Sequence, residues 1–234
     1  MSLLKQWRHL LLALFAIVAL GALAACGDDV DDSGGTATAT TEPSGGERIQ
    51  GGELTVATVE GDKLDPHQSS FGSEISFERM LGRGPYTMDA ADVPQPAMAE
   101  ELPDISADGL TYTITLKDGL LWSDGDDLLA EDFVMGILRT CNPVVAGEYQ
   151  YVLSNIVGCD AYYNALAGPD GEPETADDVG PDDPFVAEKE AGVGVKAVDE
   201  LTYEITLANP QPTFTIILSM WVAFPVPVHL FPNS

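Results

Sequence analysis

Apolar and polar positions alternate over several short stretches, and a period of two along the chain predicts β-strands. The segments Glu53–Val59, Thr111–Leu116 and Leu201–Leu207 alternate in this way and are rich in β-branched residues. Asp108-Gly109 and Asp118-Gly119 flank the second segment, and such Asp-Gly pairs favour tight turns. The pattern therefore predicts short strands that are connected by turns.

Other segments have helical spacing or are apolar throughout. Ala130–Thr140 predicts an amphipathic helix, with Phe133, Val134, Ile137 and Leu138 on its apolar face. Ser73–Leu81 predicts a second helix, and Ala97–Leu102 indicates a short helical turn before a proline. Phe214–Val222 has no polar residue beyond a threonine and a serine, so we expect it to be buried. Strands and helices together predict an α/β (mixed α+β) fold.

One nine-residue pattern occurs twice. Asp108–Leu116 and Asp199–Leu207 both follow D-x-L-T-Y-x-I-T-L. We interpret them as two similar edge strands with alternating burial. A duplicated structural unit is the alternative.

The N-terminus has the pattern of an export signal. Basic residues precede an uncharged apolar run, Leu10–Ala25, which is shorter than the roughly 20 residues that a membrane-spanning helix needs. Leu23-Ala24-Ala25-Cys26 resembles the bacterial lipobox, which implies cleavage before Cys26 and lipidation of its thiol. An uncleaved signal anchor is the alternative. Residues 26–50 are polar and acidic, which predicts a flexible tether.

Charge narrows the possible partners. The chain has 38 Asp and Glu against 10 Lys and Arg, a formal net charge of −28, which argues against binding to nucleic acid or, through basic residues, to anionic lipid. The insertion 168–185 is dense in acid, proline and glycine, which predicts a solvated surface loop. Calcium binding there is the alternative, and the candidate ligands are Asp170, Glu172, Glu174, Asp177 and Asp178.

Catalytic motifs are missing from the sequence. It has no G-x-S-x-G, H-E-x-x-H, P-loop or G-x-G-x-x-G, and a lone His67 after Asp-Pro is more typical of a turn than of a general base. We expect no enzymatic activity, no metal and no cofactor. In an exported protein Cys141 and Cys159 favour a disulfide, while two buried unpaired cysteines are the alternative.

Ten short motifs then occur in a familiar order between Gly51 and His229. They are Gly51–Leu54, Leu64–His67, Met98–Glu100, Asp108–Tyr112, Leu116–Gly119, Trp122–Gly125, Ala130–Phe133, Gly194–Asp199, Thr202–Leu207 and Pro225–Pro227. In order and spacing they resemble the family 5 extracellular solute-binding proteins of ABC importers, which include the oligopeptide- and dipeptide-binding proteins. One departure is Leu129, where the family usually has a helix-capping threonine, so we expect Asp126 or Asp127 to cap the helix instead.

The resemblance implies part of a type II periplasmic-binding-protein clamshell. Residues 51–82 would begin the first lobe, 83–227 would form its peripheral mixed-sheet subdomain, and 228–234 would return to the first lobe. The family's full chain is about twice as long as this sequence, so the second lobe would lie outside it.

The resemblance also implies a function without chemistry. A monomeric receptor, anchored by the lipid on Cys26, would capture a peptide and deliver it to the permease subunits of an ABC transporter. Nickel, a small glycoside or another solute is an alternative cargo, and a ligand sensor or a secreted hydrolase is an alternative class.

Family members place two segments beside the ligand. The segment after Leu-Asp-Pro-His pairs with the ligand backbone, and here it is Ser70-Phe71-Gly72. A tyrosine shortly after the helix-ending Asn-Pro faces the ligand, which implies Tyr149, although ordinary packing is the alternative. We assign Trp122 to the core.

Overall fold

The computed structural model describes residues 51–61 and 63–231, so the predicted signal peptide 1–25, the tether 26–50 and Cys26 lie outside the described residues. The strands are β1 (Tyr86–Met88), β2 (Pro94–Pro96), β3 (Asp104–Ile105), β4 (Thr111–Thr115), β5 (Val195–Ala197) and β6 (Thr202–Thr206). The helices are α1 (Gly72–Leu81), α2 (Ala130–Thr140), α3 (Cys159–Tyr163), α4 (Pro184–Ala191) and α5 (Phe214–Ile217). In this described part of the chain, no helix has both the length and the apolar character to cross a membrane.

The larger sheet is antiparallel and has the strand order β3-β4-β6-β5. Its two central strands are the two copies of the repeated pattern, which pair around Thr113 and Glu204 so that each tyrosine lies opposite the isoleucine of the other copy. The prediction of edge strands is therefore wrong, because the copies pair with each other and β3 and β5 cover their outer edges. The predicted alternating burial is confirmed in both strands.

Helix α2 packs against this sheet and has the predicted bounds. Phe133 and Ile137 are each 1% exposed, and the ring of Phe133 stacks on Tyr203 with 5.4 Å between centroids. Burying a side chain of this size contributes roughly 1.5–3 kcal/mol, so the apolar stripe holds the helix on the sheet.

The N-terminus of α2 is capped from inside the helix. Asp132 Oδ2 accepts a hydrogen bond from the backbone N–H of Leu129 at 2.9 Å. The expectation that Asp126 or Asp127 caps this helix is wrong, because the carboxylate of the third helical residue reaches back over the first turn. The same buried carboxylate also accepts hydrogen bonds from Trp122 Nε1 and from the backbone N–H of Val228.

Two local predictions fail because neighbours decide backbone pairing. Residues Glu53–Val59 form no strand: Leu54 and Val59 are 85% and 76% exposed, and none of the described residues pairs with the segment. An apolar face alone does not make a strand without a hydrogen-bonding neighbour. Ala97–Leu102 is not helical either, since the N–H of Glu100 donates to Thr115 and Ala99 forms a β-bridge with Leu116.

The C-terminal apolar run Phe214–Val222 is not buried throughout. It forms α5 and leads into a 3₁₀ turn, Trp221–Ala223. Phe214 and Leu218 are fully buried, but Ile216 is 41% exposed. The reason is the helical period, which turns one side chain of this short helix towards solvent.

The acidic insertion is a surface loop over residues 168–183, as predicted, but its last two residues, Pro184 and Phe185, begin α4. Two of its carboxylates form hydrogen bonds with the backbone of the loop itself. Asp177 accepts a hydrogen bond from the N–H of Asp170, and Asp178 accepts one from the N–H of Glu174. Among the described residues of this loop, no three His, Cys, Asp or Glu side chains bring their ligand atoms within 4.8 Å of one another.

Cys141 and Cys159 are joined in a disulfide with 5.2 Å between their Cα atoms, and both are fully buried. The bond connects the end of α2 to the start of α3. The loop between them carries Tyr149.

Candidate functional site

The Leu64–His67 motif forms a turn that immediately precedes α1. The carbonyl of Asp65 accepts hydrogen bonds from the N–H groups of Gln68 and Ser69, each at 2.9 Å. The carboxylate of Asp65 accepts from the N–H of His67 at 3.1 Å. Pro66 keeps Asp65 out of the helical region, so the sequence itself fixes this turn.

Arg139, in the last turn of α2, holds the turn in place. Its Nη1 and Nη2 donate to Asp65 Oδ1 and Oδ2 at 2.6 Å each. Nη1 also contacts His67 Nδ1 at 2.9 Å, and His67 Nε2 lies 3.1 Å from the carbonyl of Phe224. These partners assign the proton of a neutral imidazole to Nε2, because the guanidinium can only donate and the carbonyl can only accept.

The electrostatics agree with this arrangement. Burial lowers the pKa of His67 to about 4, and the charge of Arg139 acts in the same direction. Burial opposes ionisation of Asp65, but the hydrogen bonds and charge of Arg139 keep the pKa of Asp65 below its ordinary value. At neutral pH the turn therefore contains a bidentate ion pair and an uncharged histidine.

Ser70, Phe71 and Gly72 follow this turn. Phe71 has extended backbone angles, φ −93° and ψ 139°, and its side chain is 63% exposed. Gly72 is exposed and is the first residue of α1, where an N–H has no acceptor within the helix. Phe71 thus presents an extended backbone on the surface and Gly72 an amide donor beside it, while Ser70 is half-buried.

Glu78 fastens α1 to the same turn. Its Oε1 accepts a hydrogen bond from Ser69 Oγ at 2.5 Å, and burial raises the pKa of its carboxyl. The segment Ser70–Gly72 is therefore held on one side by Arg139, through Asp65, and on the other side by α1.

Tyr149 is half-buried and begins the 3₁₀ turn Gln150–Leu153. Its ring packs edge-on against Trp221, with 4.9 Å between centroids, and stacks on Tyr151 at 5.8 Å. The packing alternative therefore has direct contacts in its favour, while part of the ring remains accessible. Trp221 Nε1 is buried and has no hydrogen-bond acceptor in the described part of the chain.

The loop of Tyr149 contacts the Leu64–His67 turn at Gly147. A Cβ on Gly147 would lie 2.0 Å from the carbonyl oxygen of His67, so only glycine fits this approach. The structure thus brings the loop that carries Tyr149 against the turn that precedes Ser70. Gly147, Trp221 and Arg139 were missed from the sequence because they belong to no recognisable motif.

Two cavities lie apart from the four predicted ligand residues. The larger, about 570 Å³, lies between Leu64, Trp122 and Phe224, and the smaller, about 220 Å³, lies between Arg139 and Tyr162. Trp122 is half-buried at the wall of the larger cavity and packs on the core, so it lies at the core's edge rather than inside it.

The chain is similar to proteins that bind solutes outside the cytoplasm. Residues 93–233 match the model of the bacterial extracellular solute-binding proteins, family 5 Middle. A dipeptide-binding protein of Lactococcus lactis is 34% identical over 56% of this chain and 20% of its own length. The probable deoxycholate-binding periplasmic protein YgiS of Escherichia coli is 34% identical over 71% of this chain and 28% of its own length.

The fold has relatives among solved structures. The pheromone receptor PrgZ, whose structure is described with its mode of peptide binding, has a TM-score of 0.62 and 28% identity over 76% of this chain and 31% of its own. The chain thus spans less than a third of the length of each of these three relatives. Proteins of this family bind solutes without transforming them. With the family model covering more than half of its residues, the chain belongs to the family 5 bacterial extracellular solute-binding proteins.

Proposed function

We propose that this chain forms one wall of a peptide receptor that delivers its cargo to the permease of an ABC importer. The observation that carries the proposal is the exposed, extended Phe71 with the exposed amide of Gly72 beside it, directly after the turn that Arg139 holds. Hydrogen bonds to a peptide's main chain are indifferent to its side chains, so such a segment suits mixed peptides. Tyr149 would contact the ligand through the accessible part of its ring.

The proposed architecture follows from the family. Residues 51–82 would begin the first lobe, 83–227 would form the peripheral subdomain, and 228–234 would return to the first lobe. Cleavage after residue 25 and lipidation of Cys26 would place the receptor on the outer side of a membrane, with residues 26–50 as its tether. The receptor would act as a monomer.

A second solute class also has an observation in its favour. YgiS is named as a probable deoxycholate-binding protein and is as similar to this chain as the dipeptide-binding protein is. An amphipathic steroid needs an apolar cavity rather than an extended backbone, and the cavity beside Trp122 has that character. Competition between a peptide and deoxycholate therefore distinguishes the two cargoes.

The test removes one backbone N–H group at a position where the helix accepts proline. Gly72→Pro deletes the N–H of the first helical residue, where proline is favoured, and the extended Phe71 accommodates a following proline. Gly72→Ala is the matched control, since it keeps the N–H and a Cβ there meets nothing within 4 Å.

We expect Gly72→Pro to weaken binding of a tetrapeptide about fivefold, as for the loss of one hydrogen bond of about 1 kcal/mol, and Gly72→Ala to bind as the wild type does. The measurement is an NMR titration of the purified chain. Equal binding by both variants would contradict main-chain pairing at this segment.

A further inference from the structure

Three metal-ligating side chains from two distant segments converge on one surface point. Asp124 and Asp126 belong to the turn after Trp122, and His229 belongs to the 3₁₀ turn Val228–Leu230. His229 Nε2 lies 2.8 Å from Asp124 Oδ2 and 3.4 Å from Asp126 Oδ2. One ligand atom from each residue falls within 4.8 Å of the others. None of the three residues belongs to the proposed peptide wall.

A single buried residue fixes both segments. Asp132, 4% exposed, accepts hydrogen bonds from Trp122 Nε1 at 3.1 Å and from the backbone N–H of Val228 at 2.9 Å. The N–H of Trp122 in turn donates to the carbonyl of Asp126. The two backbone segments that carry the carboxylates and the imidazole are therefore both tied to Asp132, while the three ligand side chains themselves are exposed.

We propose that Asp124, Asp126 and His229 bind a divalent transition-metal ion, with Zn²⁺ as the best match. One imidazole nitrogen and two carboxylate oxygens are a donor set that zinc accepts. Tetrahedral zinc with bonds of about 2.0–2.1 Å places its ligand atoms roughly 3.3 Å apart. The separations of His229 Nε2 from the two carboxylates, 2.8 and 3.4 Å, lie on either side of that value, and all three ligand atoms lie within 4.8 Å of one another. The fourth position would hold water.

The local charge favours a cation. None of the ion pairs formed by the described residues joins Asp124 or Asp126 to a lysine or arginine. Asp124 and Asp126 raise the pKa of His229, and Asp132 adds to the effect. A bound ion would replace the proton that His229 Nε2 shares with the carboxylates.

The test is calorimetric titration of ZnCl₂ into the full 234-residue chain, purified in detergent micelles and treated with a chelator. We expect one Zn²⁺ per chain at pH 7.5. His229→Gln should weaken the affinity by about 100-fold or more, because losing an outer-shell partner already costs 10–100-fold.

A charge-matched control separates coordination of zinc by the cluster from the general attraction of the cation to an acidic protein. Asp124→Asn/Asp126→Asn and Asp177→Asn/Asp178→Asn remove the same charge, but only the first pair belongs to the cluster. Circular dichroism verifies that each variant is folded. Zinc binding that survives His229→Gln, falls equally with both double variants, or has no 1:1 stoichiometry would overturn the proposal, the last two results indicating an adventitious ion only.

Discussion

Acidification should weaken this fold through one buried histidine. His67 is neutral in the folded chain, where burial and the Arg139 charge lower its pKa from 6.5 to about 4. The unfolded chain takes up the proton first as the pH falls below 6.5. The contribution of the buried, neutral His67 to the free energy of unfolding is therefore complete above that pH and is lost progressively towards pH 4.

The magnitude follows from the two pKa values. Between pH 7.5 and pH 5.0, proton uptake by unfolded His67 favours unfolding by about 2 kcal/mol. The raised pKa of Glu78 acts in the opposite direction, since the folded state then holds the extra proton. Asp65 has a lowered pKa, so its contribution to stability is lost mainly as the pH falls through 3.8 and below, and it changes little between pH 7.5 and pH 5.0. A comparison with a variant that lacks only the histidine isolates the effect.

The assay is urea unfolding of the wild type and of His67→Gln at both pH values, followed by tryptophan fluorescence. The glutamine amide can still donate to the carbonyl of Phe224, but it does not titrate. We expect the wild type to lose about 2 kcal/mol more than the variant on acidification.

A matched control is His229→Gln, which removes an exposed histidine whose pKa is raised by Asp124. This histidine stabilises the fold as the pH falls, so its loss should increase the acid sensitivity. Equal losses in the wild type and His67→Gln would refute the proposed burial and neutrality of His67.

Three further predictions concern other parts of the chain. Gly147→Ala should lower the free energy of unfolding by about 1–3 kcal/mol because its Cβ meets the His67 carbonyl, whereas Gly180→Ala, in open space, should change little in the same urea assay. Reduction of the Cys141–Cys159 disulfide should lower the free energy of unfolding by about 3 kcal/mol, and free thiols mapped to Cys141 and Cys159 in the oxidised, denatured chain would disprove the bond. Intact mass after expression in a lipoprotein-processing host should show loss of residues 1–25 and acylation of Cys26. A full-length chain with unmodified Cys26 would contradict this.

The sequence predicted best the elements whose own residues determine them. Ala130–Thr140 has a full apolar stripe, and its helix has the predicted bounds. The Asp-Gly turns were equally reliable, because a positive φ at Gly109 and Gly119 is a local requirement. The other elements depend on which segments pair in the folded chain. Glu53–Val59 has a strand pattern but no pairing partner among the described residues. The two repeat copies occupy the centre of the sheet because they pair with each other.

Only part of the candidate site could be predicted from the sequence, because its other residues depend on contacts with distant parts of the chain. The Leu-Asp-Pro-His motif predicted the turn, but its partner Arg139 lies 74 residues away along the chain. Gly147 and Trp221 have no local signal, since their roles are a close backbone approach and a ring contact that exist only after folding. The cluster of Asp124, Asp126 and His229 depends on a contact across 105 residues.

The most direct test of the central claim is to locate a bound peptide on this chain. Amide chemical shifts of the isotopically labelled protein would be followed while a mixed tetrapeptide is added, up to the roughly millimolar range that one wall of a receptor would require. We predict that the shifts change at Ser70, Phe71, Gly72 and Tyr149 and stay unchanged around Trp122. Changes confined to the cavity beside Trp122, or no change at the four residues, would contradict the account.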